Sequence, residues 1–427
     1  MKIILILAAG KRYRRAVEKG KVERYYAPTT LLRLKSIIPH ELNPEVRIID
    51  QGVEPVPEEM DADLVGISAI TCAAPEAYRL AERIRKRGIP VVLGGSHPTL
   101  LPGEASRYAD SVVVGFGEGA WRRLLLDFAS GKLKKIYCDF SNPYSRSYPP
   151  LHRNLLSQRY FTRNTIEVTR GCPHACSFCV VSRINGGKGW CMPVRDAVRE
   201  IEMIGSPVVF LDVNLFAFRD YAKKLMNEIA PLRVEWYAGA TLNLVQDKEM
   251  LKLAEKSGCR GLLVGFESVN QESLNWMGKG FHRKKYFYEA VKILHDHGMS
   301  VLGCFVFGCD PDDESIFERT VRFVEKSGMD LVKYSILTPL PGSYLFEKFK
   351  KEKRLLTLNW ELYDGEHCVF LPRNLSPEKL EEGLRWAYRI TYRFSSILKR
   401  TLRKGSPFPH AFLANLVFKK LSCSVEV

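Results

Sequence analysis

The stretch RGCPHACSFC, residues 170–179, holds three cysteines, Cys172, Cys176 and Cys179, in a CxxxCxxC spacing. Four-iron, four-sulfur clusters are usually held by four thiolates, so three thiolates on one short loop leave one iron without a protein ligand. Metal sites that only stabilise a fold are closed, whereas sites that do chemistry keep an open position. The spacing therefore predicts a 4Fe-4S cluster with one open iron, and Phe178 stands just before its last ligand.

Two other interpretations of these cysteines stay open. Cys172, Cys176 and Cys179 together with His174 would suit zinc, although zinc sites more often use separated CxxC pairs and no second pair exists here. Cys191 lies twelve residues past Cys179 and is a further candidate ligand, but a plain loop cysteine is the simpler interpretation.

Composition places the chain among globular proteins. Its 427 residues suffice for about two or three domains, and 46% of them are hydrophobic. The sequence contains no run of about 18 apolar residues, so it predicts no membrane-spanning helix. The start is apolar and then basic, the reverse of a signal peptide, which favours a cytoplasmic protein. Eleven cysteines without a disulfide-like pattern agree with a reducing compartment.

The chain is strongly basic, with a formal net charge of +16. Basic residues concentrate in 11–24, 346–354 and 398–420. Such an excess favours anionic partners such as nucleic acid, phosphorylated substrates or an acidic membrane face, and a solvated lysine-rich surface is the plainer alternative.

Residues 1–130 alternate short apolar strands with helices. We predict strands at 3–7, 46–49, 64–68, 91–94 and 111–114, and a helix at 75–86. This alternation indicates an open parallel sheet, which binds ligands outside the carboxyl ends of its strands. The loops that follow the last three strands are rich in small residues and contain no GxGxxG motif, so a dinucleotide site is not indicated.

The remainder divides into three parts. Residues 131–164 contain several prolines and predict a linker. Residues 165–342 predict six strand–helix units of a partial barrel, with strands at 165–170, 208–212, 233–240, 261–267, 300–307 and 332–337 and helices at 194–204, 219–229, 247–257, 284–297 and 314–327. The cysteine loop follows the first strand, at the end where such barrels place their chemistry. Residues 343–427 predict a mainly helical cap over the barrel mouth.

The cysteine loop and its aromatic residue resemble the signature of the radical S-adenosylmethionine (SAM) enzymes. The set DLVGISAIT (63–71), VVLGGSHPT (91–99) and VVVGFGE (112–118) resembles the cobalamin-binding domain that precedes the barrel in one large class of them. The chain is similar to the DUF4070-type branch that includes hopanoid C-2 methylases. The resemblance implies an α/β fold with a Rossmann-like cobalamin-type domain, a partial (β/α)6 barrel and a helical C-terminal region.

The resemblance also implies which residues face cobalamin, namely Ser68, Thr71, Gly94, Gly95, Ser96, Gly115 and Glu118. No DxHxxG motif offers an axial ligand. His97 is the one tempting candidate, and we favour a packing role for it. A domain that keeps the fold without binding cobalamin stays an alternative.

Four further segments resemble SAM-binding strands of that class: VVFLDVNLF (208–216), LLVGFESVN (262–270), VLGCFVFG (301–308) and KYSILTPLPGS (333–343). Val213 replaces the second acidic residue of the first motif. The residues implied to bind SAM are Phe178, Asp212 for its amino group, Asn214 in support, Glu267 for its ribose, and Gly308 by its adenine. Tyr334 is implied near the barrel mouth as a candidate catalytic residue.

The resemblance implies a cobalamin-dependent radical SAM methyltransferase that acts on an unactivated carbon of a lipid or isoprenoid-like substrate. Its cofactors would be a 4Fe-4S cluster, SAM and cobalamin. Its partners would be a small-molecule or lipid substrate, an electron donor such as flavodoxin or ferredoxin, and an acidic membrane surface, whereas nucleic acid is not expected. A radical SAM enzyme that cyclises or couples carbons, an RNA-modifying enzyme and a non-enzymatic iron–sulfur module are the alternatives. A methylthiotransferase is set aside, because that family has a different N-terminal domain with its own three cysteines, whereas residues 1–130 contain only Cys72.

Overall fold

The computed structural model describes residues 1–21, 26–146, 148–402 and 410–422. Its first sheet has six parallel strands in the order β2-β1-β3-β4-β5-β6. Their bounds are β1 Lys2–Leu7, β2 Glu45–Asp50, β3 Leu64–Ser68, β4 Val91–Gly94, β5 Ser111–Gly115 and β6 Ile136–Asp139. The order is that of a doubly wound fold with its switch point between β1 and β3. Strand β6 lies beyond the predicted boundary at residue 130 and pairs with β5, so the first sheet extends into the segment predicted as a linker.

Helices cover both faces of this sheet. They are α1 Lys11–Glu18, α2 Thr30–Ser36, α3 Ala74–Arg85, α4 Ser96–Leu100, α5 Pro102–Ala105 and α6 Gly117–Ala129. In α3 the buried residues Ala77, Leu80, Ala81 and Ile84 recur at helical spacing, so one stripe packs on the sheet. On the opposite face α6 buries Trp121 in a separate core cluster. Strand β3 is buried along its whole length, as a strand covered on both faces must be.

The second sheet is the partial barrel, with six parallel strands in the order β14-β13-β12-β11-β10-β7. The strands are β7 Thr165–Ile166, β8 Thr169–Arg170, β9 Trp190–Cys191, β10 Val208–Phe210, β11 Trp236–Ala240, β12 Cys259–Glu267, β13 Ser300–Phe307 and β14 Leu331–Ile336. The helices are α7 Val181–Ile184, α8 Val194–Ile204, α9 Arg219–Ile229, α10 Lys248–Lys256, α11 Gln271–Trp276, α12 Phe287–Asp296 and α13 Ser315–Ser327. Within the described residues β14 and β7 do not pair, so the barrel is open on one side.

One predicted strand is divided in the structure. The segment 165–170 splits into β7, which joins the barrel sheet, and β8, which pairs antiparallel with β9 in a small separate sheet. The cysteine loop therefore leaves the barrel from a two-stranded ribbon and not directly from a barrel strand.

The C-terminal helices are α14 Tyr344–Lys351, α15 Pro377–Thr391, α16 Phe394–Thr401 and α17 His410–Ser422. The expectation that this region caps the barrel mouth was wrong for its last three helices. The Tyr388 hydroxyl accepts from the Tyr334 N–H and donates to its carbonyl, and Tyr392 does the same at Val332. Helix α15 thus covers the free edge of β14, because an edge strand otherwise leaves its polar groups unpaired.

Helix α16 continues this covering toward the start of β14. The fully buried Arg400 donates to the carbonyls of Met329, Asp330 and Thr391.

Of the basic segments, residues 22–25 and 403–409 lie outside the described part of the chain. None of the helices that the structure describes combines the length and the apolar character needed to span a membrane.

Candidate active site

The cysteine loop is fixed from both sides. The Ser177 N–H donates to the Met277 carbonyl at 3.0 Å, and the Ser177 carbonyl accepts from Leu345 N–H at 3.0 Å. Gly171 enters the loop at φ +96°, where an added Cβ would lie 2.5 Å from the Lys188 carbonyl oxygen. The loop is therefore anchored to the turn after α11 and to α14, and only glycine suits its first position.

The three thiols Cys172, Cys176 and Cys179 are partly exposed and close enough to interact electrostatically. Burial raises the pKa of Cys176 to about 11 and also raises that of Cys179. Among the described residues no three potential ligands converge on a point that would hold a single ion. His174, the fourth ligand of the zinc interpretation, stacks on Phe281 with the ring centroids 4.6 Å apart. A four-iron cluster needs no such convergence, since each thiolate binds a different iron.

Two buried groups beside the loop were missed by the sequence analysis. Burial lowers the pKa of Lys279, but attraction to Glu267 and Cys176 outweighs burial and raises it overall. His282 is 2% exposed, and neither ring nitrogen has a hydrogen-bond partner in the described structure. Buried polar groups are normally satisfied, so this imidazole fits a site that a bound group completes. Only the local motif GKGFH (278–282) could have drawn attention to them.

Glu267 lies where a SAM-binding residue was predicted, but its carboxylate forms an ion pair with Lys279. Its φ of +63° is unusual for a residue other than glycine. The pair lies over Gly265, where an added Cβ would be 3.1 Å from the Lys279 Nζ. A cation and an anion thus stand together between the barrel interior and the cysteine loop.

Asp212 is 4% exposed at the end of β10. Its carboxylate accepts from Thr169 N–H and hydroxyl at 2.5 Å each and from Val168 N–H at 3.2 Å. Burial raises the pKa of Asp212 to about 7, against the lowering effect of these hydrogen bonds. The contact with the SAM amino group stays a prediction, and most of this carboxylate is committed to the strand that precedes the cysteine loop. Asn214 is also buried, and its Oδ1 has no partner in the described structure.

Two further predicted positions lie on β13 and β14. Gly308 has φ +100°, and an added Cβ would meet Leu380 at 2.7 Å, so it closes β13 in a turn that only glycine fits. Tyr334 is 2% exposed, bonded through its hydroxyl to Thr391 Oγ1 at 2.7 Å and stacked on Phe307. The prediction of a catalytic Tyr334 was wrong, because this side chain packs on the outer face of the barrel. Phe178 is partly buried against the barrel core.

A cavity of about 270 Å³ separates the first sheet from the cysteine loop. Six of the seven residues predicted to face cobalamin line it: Ser68, Gly94, Gly95, Ser96, Gly115 and Glu118. At Gly95 an added Cβ would lie 2.7 Å from the Ala69 carbonyl oxygen, so the small edge is obligatory. An apolar end includes Trp121, whose buried Nε1 has no partner in the described structure. A small-residue edge, an apolar end and a free donor fit a large cofactor such as cobalamin.

Two residues lie away from the cavity wall. Thr71 is buried in the turn before α3 and is not among the lining residues. His97 is fully buried, 3.3 Å from Glu104 and edge-on to Trp360, which donates to the same carboxylate. His97 therefore has the packing role that we favoured for it. The residues that line the cavity include no histidine.

Arg170 joins the two cofactor regions and was not singled out from the sequence. Its guanidinium bonds to both Glu118 oxygens at 2.9 and 3.0 Å and to Glu167 at 2.8 Å. It also lies 5.4 Å from the Phe116 ring and 5.8 Å from that of Tyr144. Bidentate pairs of this kind combine strength with geometric specificity. Two residues before Cys172, the chain is thus tied to the first turn of α6 in the cavity wall.

The fold and the site together define a radical SAM enzyme with an N-terminal cobalamin-binding domain. The model of the Radical SAM superfamily matches residues 166–324, and that of the B12 binding domain matches residues 37–125. Bacteriochlorophyllide d C-12(1)-methyltransferase of Chlorobaculum tepidum is 32% identical over 88% of this chain and 85% of that protein. The chain belongs to the cobalamin-dependent radical SAM methyltransferases, and its cofactors are a 4Fe-4S cluster, SAM and cobalamin.

Other relatives are more distant. Hopanoid C-2 methylase of Rhodopseudomonas palustris is 22% identical over 78% of this chain and 66% of that protein. The solved structure of the cobalamin-dependent S-adenosylmethionine radical enzyme OxsB, with aqua-cobalamin and S-adenosylmethionine bound, covers 100% of this chain and 71% of its own with a TM-score of 0.70. At 13% identity that likeness supports the fold alone.

Proposed function

We propose that this enzyme methylates an unactivated carbon on a side chain of a chlorin-type tetrapyrrole. The supporting observation is the similarity to a bacteriochlorophyllide d methyltransferase at 32% identity over nearly the whole of both chains. A second bacteriochlorophyllide d methyltransferase, which modifies C-8(2), is 29% identical over 84% of this chain. The hopanoid methylase that motivated a lipid substrate is less similar and matches less of the chain.

The chain's own residues would contribute placement. When bound, the cluster with SAM supplies hydrogen-atom abstraction and cobalamin supplies methyl transfer, which is chemistry that side chains cannot perform. Cys172, Cys176 and Cys179 would hold the cluster, and Lys279 with Glu267 would present fixed charges to SAM. The small-residue edge at Gly94 and Gly95 would let the corrin approach the sheet closely.

The test is an anaerobic assay of reconstituted enzyme with a strong reductant, chlorophyllide and SAM that carries a trideuterated methyl group. We expect the chlorin to gain one trideuteromethyl group, detected by mass spectrometry, together with 5′-deoxyadenosine and S-adenosylhomocysteine. Cys176→Ala is the matched inactive control. Methylation of the triterpene diploptene in place of the chlorin would overturn the substrate class. Deoxyadenosine formed without methyl transfer would overturn the methyltransferase assignment and favour a cyclase or coupling enzyme.

We also propose that the electron donor is an acidic protein such as flavodoxin or ferredoxin, in the cytoplasm. The net charge of +16 supports this, because a basic surface speeds encounter with an acidic partner. Reduction of the cluster by flavodoxin should slow steeply as salt is raised, whereas reduction by dithionite should change little.

Peripheral contact with an anionic membrane is the remaining proposal about partners. On α17 the exposed residues Leu413, Leu416 and Val417 form an apolar stripe, and Phe394 of α16 and Leu402 just after that helix are also exposed. An apolar stripe with basic neighbours suits an anionic bilayer surface. Co-sedimentation with phosphatidylglycerol vesicles, lost in Leu413→Glu and absent with phosphatidylcholine, is the expected result.

A further inference from the structure

One lysine of the barrel points into the open interior. Burial alternates along β14, where Val332, Tyr334 and Ile336 are buried and Lys333 is exposed. Since successive side chains of a strand point to opposite faces, and Tyr334 packs outward on α15, Lys333 lies on the inner face. The register pairs it with Cys304 of β13, which in turn pairs with Gly265 of β12.

The inner face around Lys333 carries small and apolar side chains, together with the Glu267–Lys279 ion pair that lies over Gly265. Its row across the sheet has only Cys304 and Gly265 as neighbours, and both are small. On the same inner face Leu263 is 46% exposed and Tyr237 is 40% exposed, although both are strand residues. Exposed apolar side chains in a concave site are typical of ligand pockets, in which a few polar groups fix orientation.

The charge of Lys333 is not balanced within the described protein. No carboxylate of the described residues lies within ion-pair distance of it, and the nearby Glu267 is paired with Lys279. Burial raises the pKa of Cys304 to about 12, so the neighbouring thiol is neutral. The outer edge of β14 is covered by α15, so Lys333 is reached from the barrel interior. A cation without a carboxylate partner among the described residues therefore faces the barrel interior.

We propose that Lys333 binds a carboxylate of the substrate and so fixes how an apolar macrocycle enters the barrel. The inference rests on the proposed function, since it names the group by which a chlorin-type substrate would be held. A chlorophyllide carries a free carboxylate, and its methyl ester has the same macrocycle without the charge. An apolar interior would hold either ring, whereas only the acid would gain the charge-assisted hydrogen bond to Lys333.

The experiment compares binding of chlorophyllide a and its methyl ester to reconstituted enzyme, followed by changes in chlorin absorbance. A hydrogen bond to a charged group contributes enough for the wild type to bind the acid roughly tenfold more tightly than the ester. We expect Lys333→Met to bind both forms alike, at the affinity of the ester, and Lys333→Arg to keep the preference. Lys252→Met, on the exposed side of α10, is the matched control and should keep it too.

The outcomes separate the two proposals. If the wild type binds acid and ester equally, or Lys333→Met keeps the preference, the carboxylate anchor is wrong while the chlorin substrate stands. If the wild type binds neither form, the substrate class is wrong and the anchor fails with it. Iron and cobalt content, measured for every variant, shows that a lost preference does not come from lost cofactors.

Discussion

We expect opposite results from replacing the three cysteines of the 170–179 loop and from replacing Cys191, which lies nearby. Replacement of Cys172, Cys176 or Cys179 by alanine should remove most of the reconstituted iron and abolish SAM cleavage, because no spare thiolate completes the cluster. Cys191→Ala is the matched control, since Cys191 pairs with Thr169 in the β8–β9 ribbon, and it should keep its iron. Iron analysis and the visible absorbance of the cluster decide, and a cluster retained in any of the first three variants would contradict the assignment.

Asp212 should give the apoprotein a distinctive pH dependence. Burial raises its pKa to about 7 from the ordinary 3.8 of an aspartate, so between these values the folded state holds a proton that the unfolded state has lost. The contribution of Asp212 to stability is therefore fully present below about pH 4 and is lost as pH rises to about 7. The change amounts to at most about 4 kcal/mol across that window.

The comparison with Asp212→Asn isolates this contribution, because asparagine cannot ionise. The free energy of unfolding of the wild type relative to this variant should fall as pH rises from about 4 to about 7. Asn227→Gln, at an exposed position of α9, exchanges one neutral amide for another and serves as control, so it should differ from wild type by a constant amount. If the difference for Asp212→Asn is constant as well, the pKa of the Asp212 carboxyl group is not raised in the folded state.

Spacing was a sufficient signal for some residues of the site and not for others. The cysteines follow one another on a single loop, so their chemistry is readable without the fold. Asp212 and Tyr334 depend on which way a strand residue faces and on what packs there, and Tyr334 alternates with Lys333 along β14. Neighbouring residues of a strand face opposite sides of the sheet, so a shift of one residue decides whether a side chain lies on the outer wall or in the barrel interior. A motif match does not show which side a given residue faces.

At the scale of elements, the edge of β14 depends on two tyrosine hydroxyls. Tyr388→Phe would leave the N–H and carbonyl of Tyr334 unpaired, and Tyr392→Phe would do the same at Val332. Buried polar groups without partners cost about 1–3 kcal/mol each, so each variant should unfold at lower denaturant. Tyr344→Phe, with the ring 69% exposed, should leave the denaturation midpoint unchanged. Equal midpoints for all three variants would show that α15 does not complete this edge.

The elements themselves were largely predictable. Strands β3, β4 and β13 and helices α8 and α9 begin and end at the predicted residues, because each has an apolar period bounded by turn residues. Strand β6 was missed because it has only four residues and buries only one of them, which is too short for a strand period to show. Helix α15 lies in the region that was predicted to be mainly helical. Its place along β14 rests on hydroxyl contacts between residues that are 54 and 60 positions apart in the chain, which no local pattern encodes.

At the scale of the whole molecule, the ion pair between Arg170 and Glu118 couples the two cofactor regions. Glu118 lies in the cavity wall, and Arg170 holds the chain two residues before the first cluster cysteine. A ligand that orders the cavity wall should therefore also order the cysteine loop, as linkage through a shared element requires. Bound cobalamin should slow cluster loss in the wild type.

Arg170→Met tests this coupling, because it leaves the buried Glu118 without its cation, a change that typically costs about 3–5 kcal/mol. The measurement is the rate at which the cluster absorbance disappears under an iron chelator, with and without hydroxocobalamin. We expect cobalamin to protect the wild type and Arg122→Met, whose side chain is 45% exposed on α6, and to give Arg170→Met little protection. If cobalamin protects Arg170→Met as well as the wild type, the two sites communicate by another route. If it protects none of the three, they are independent.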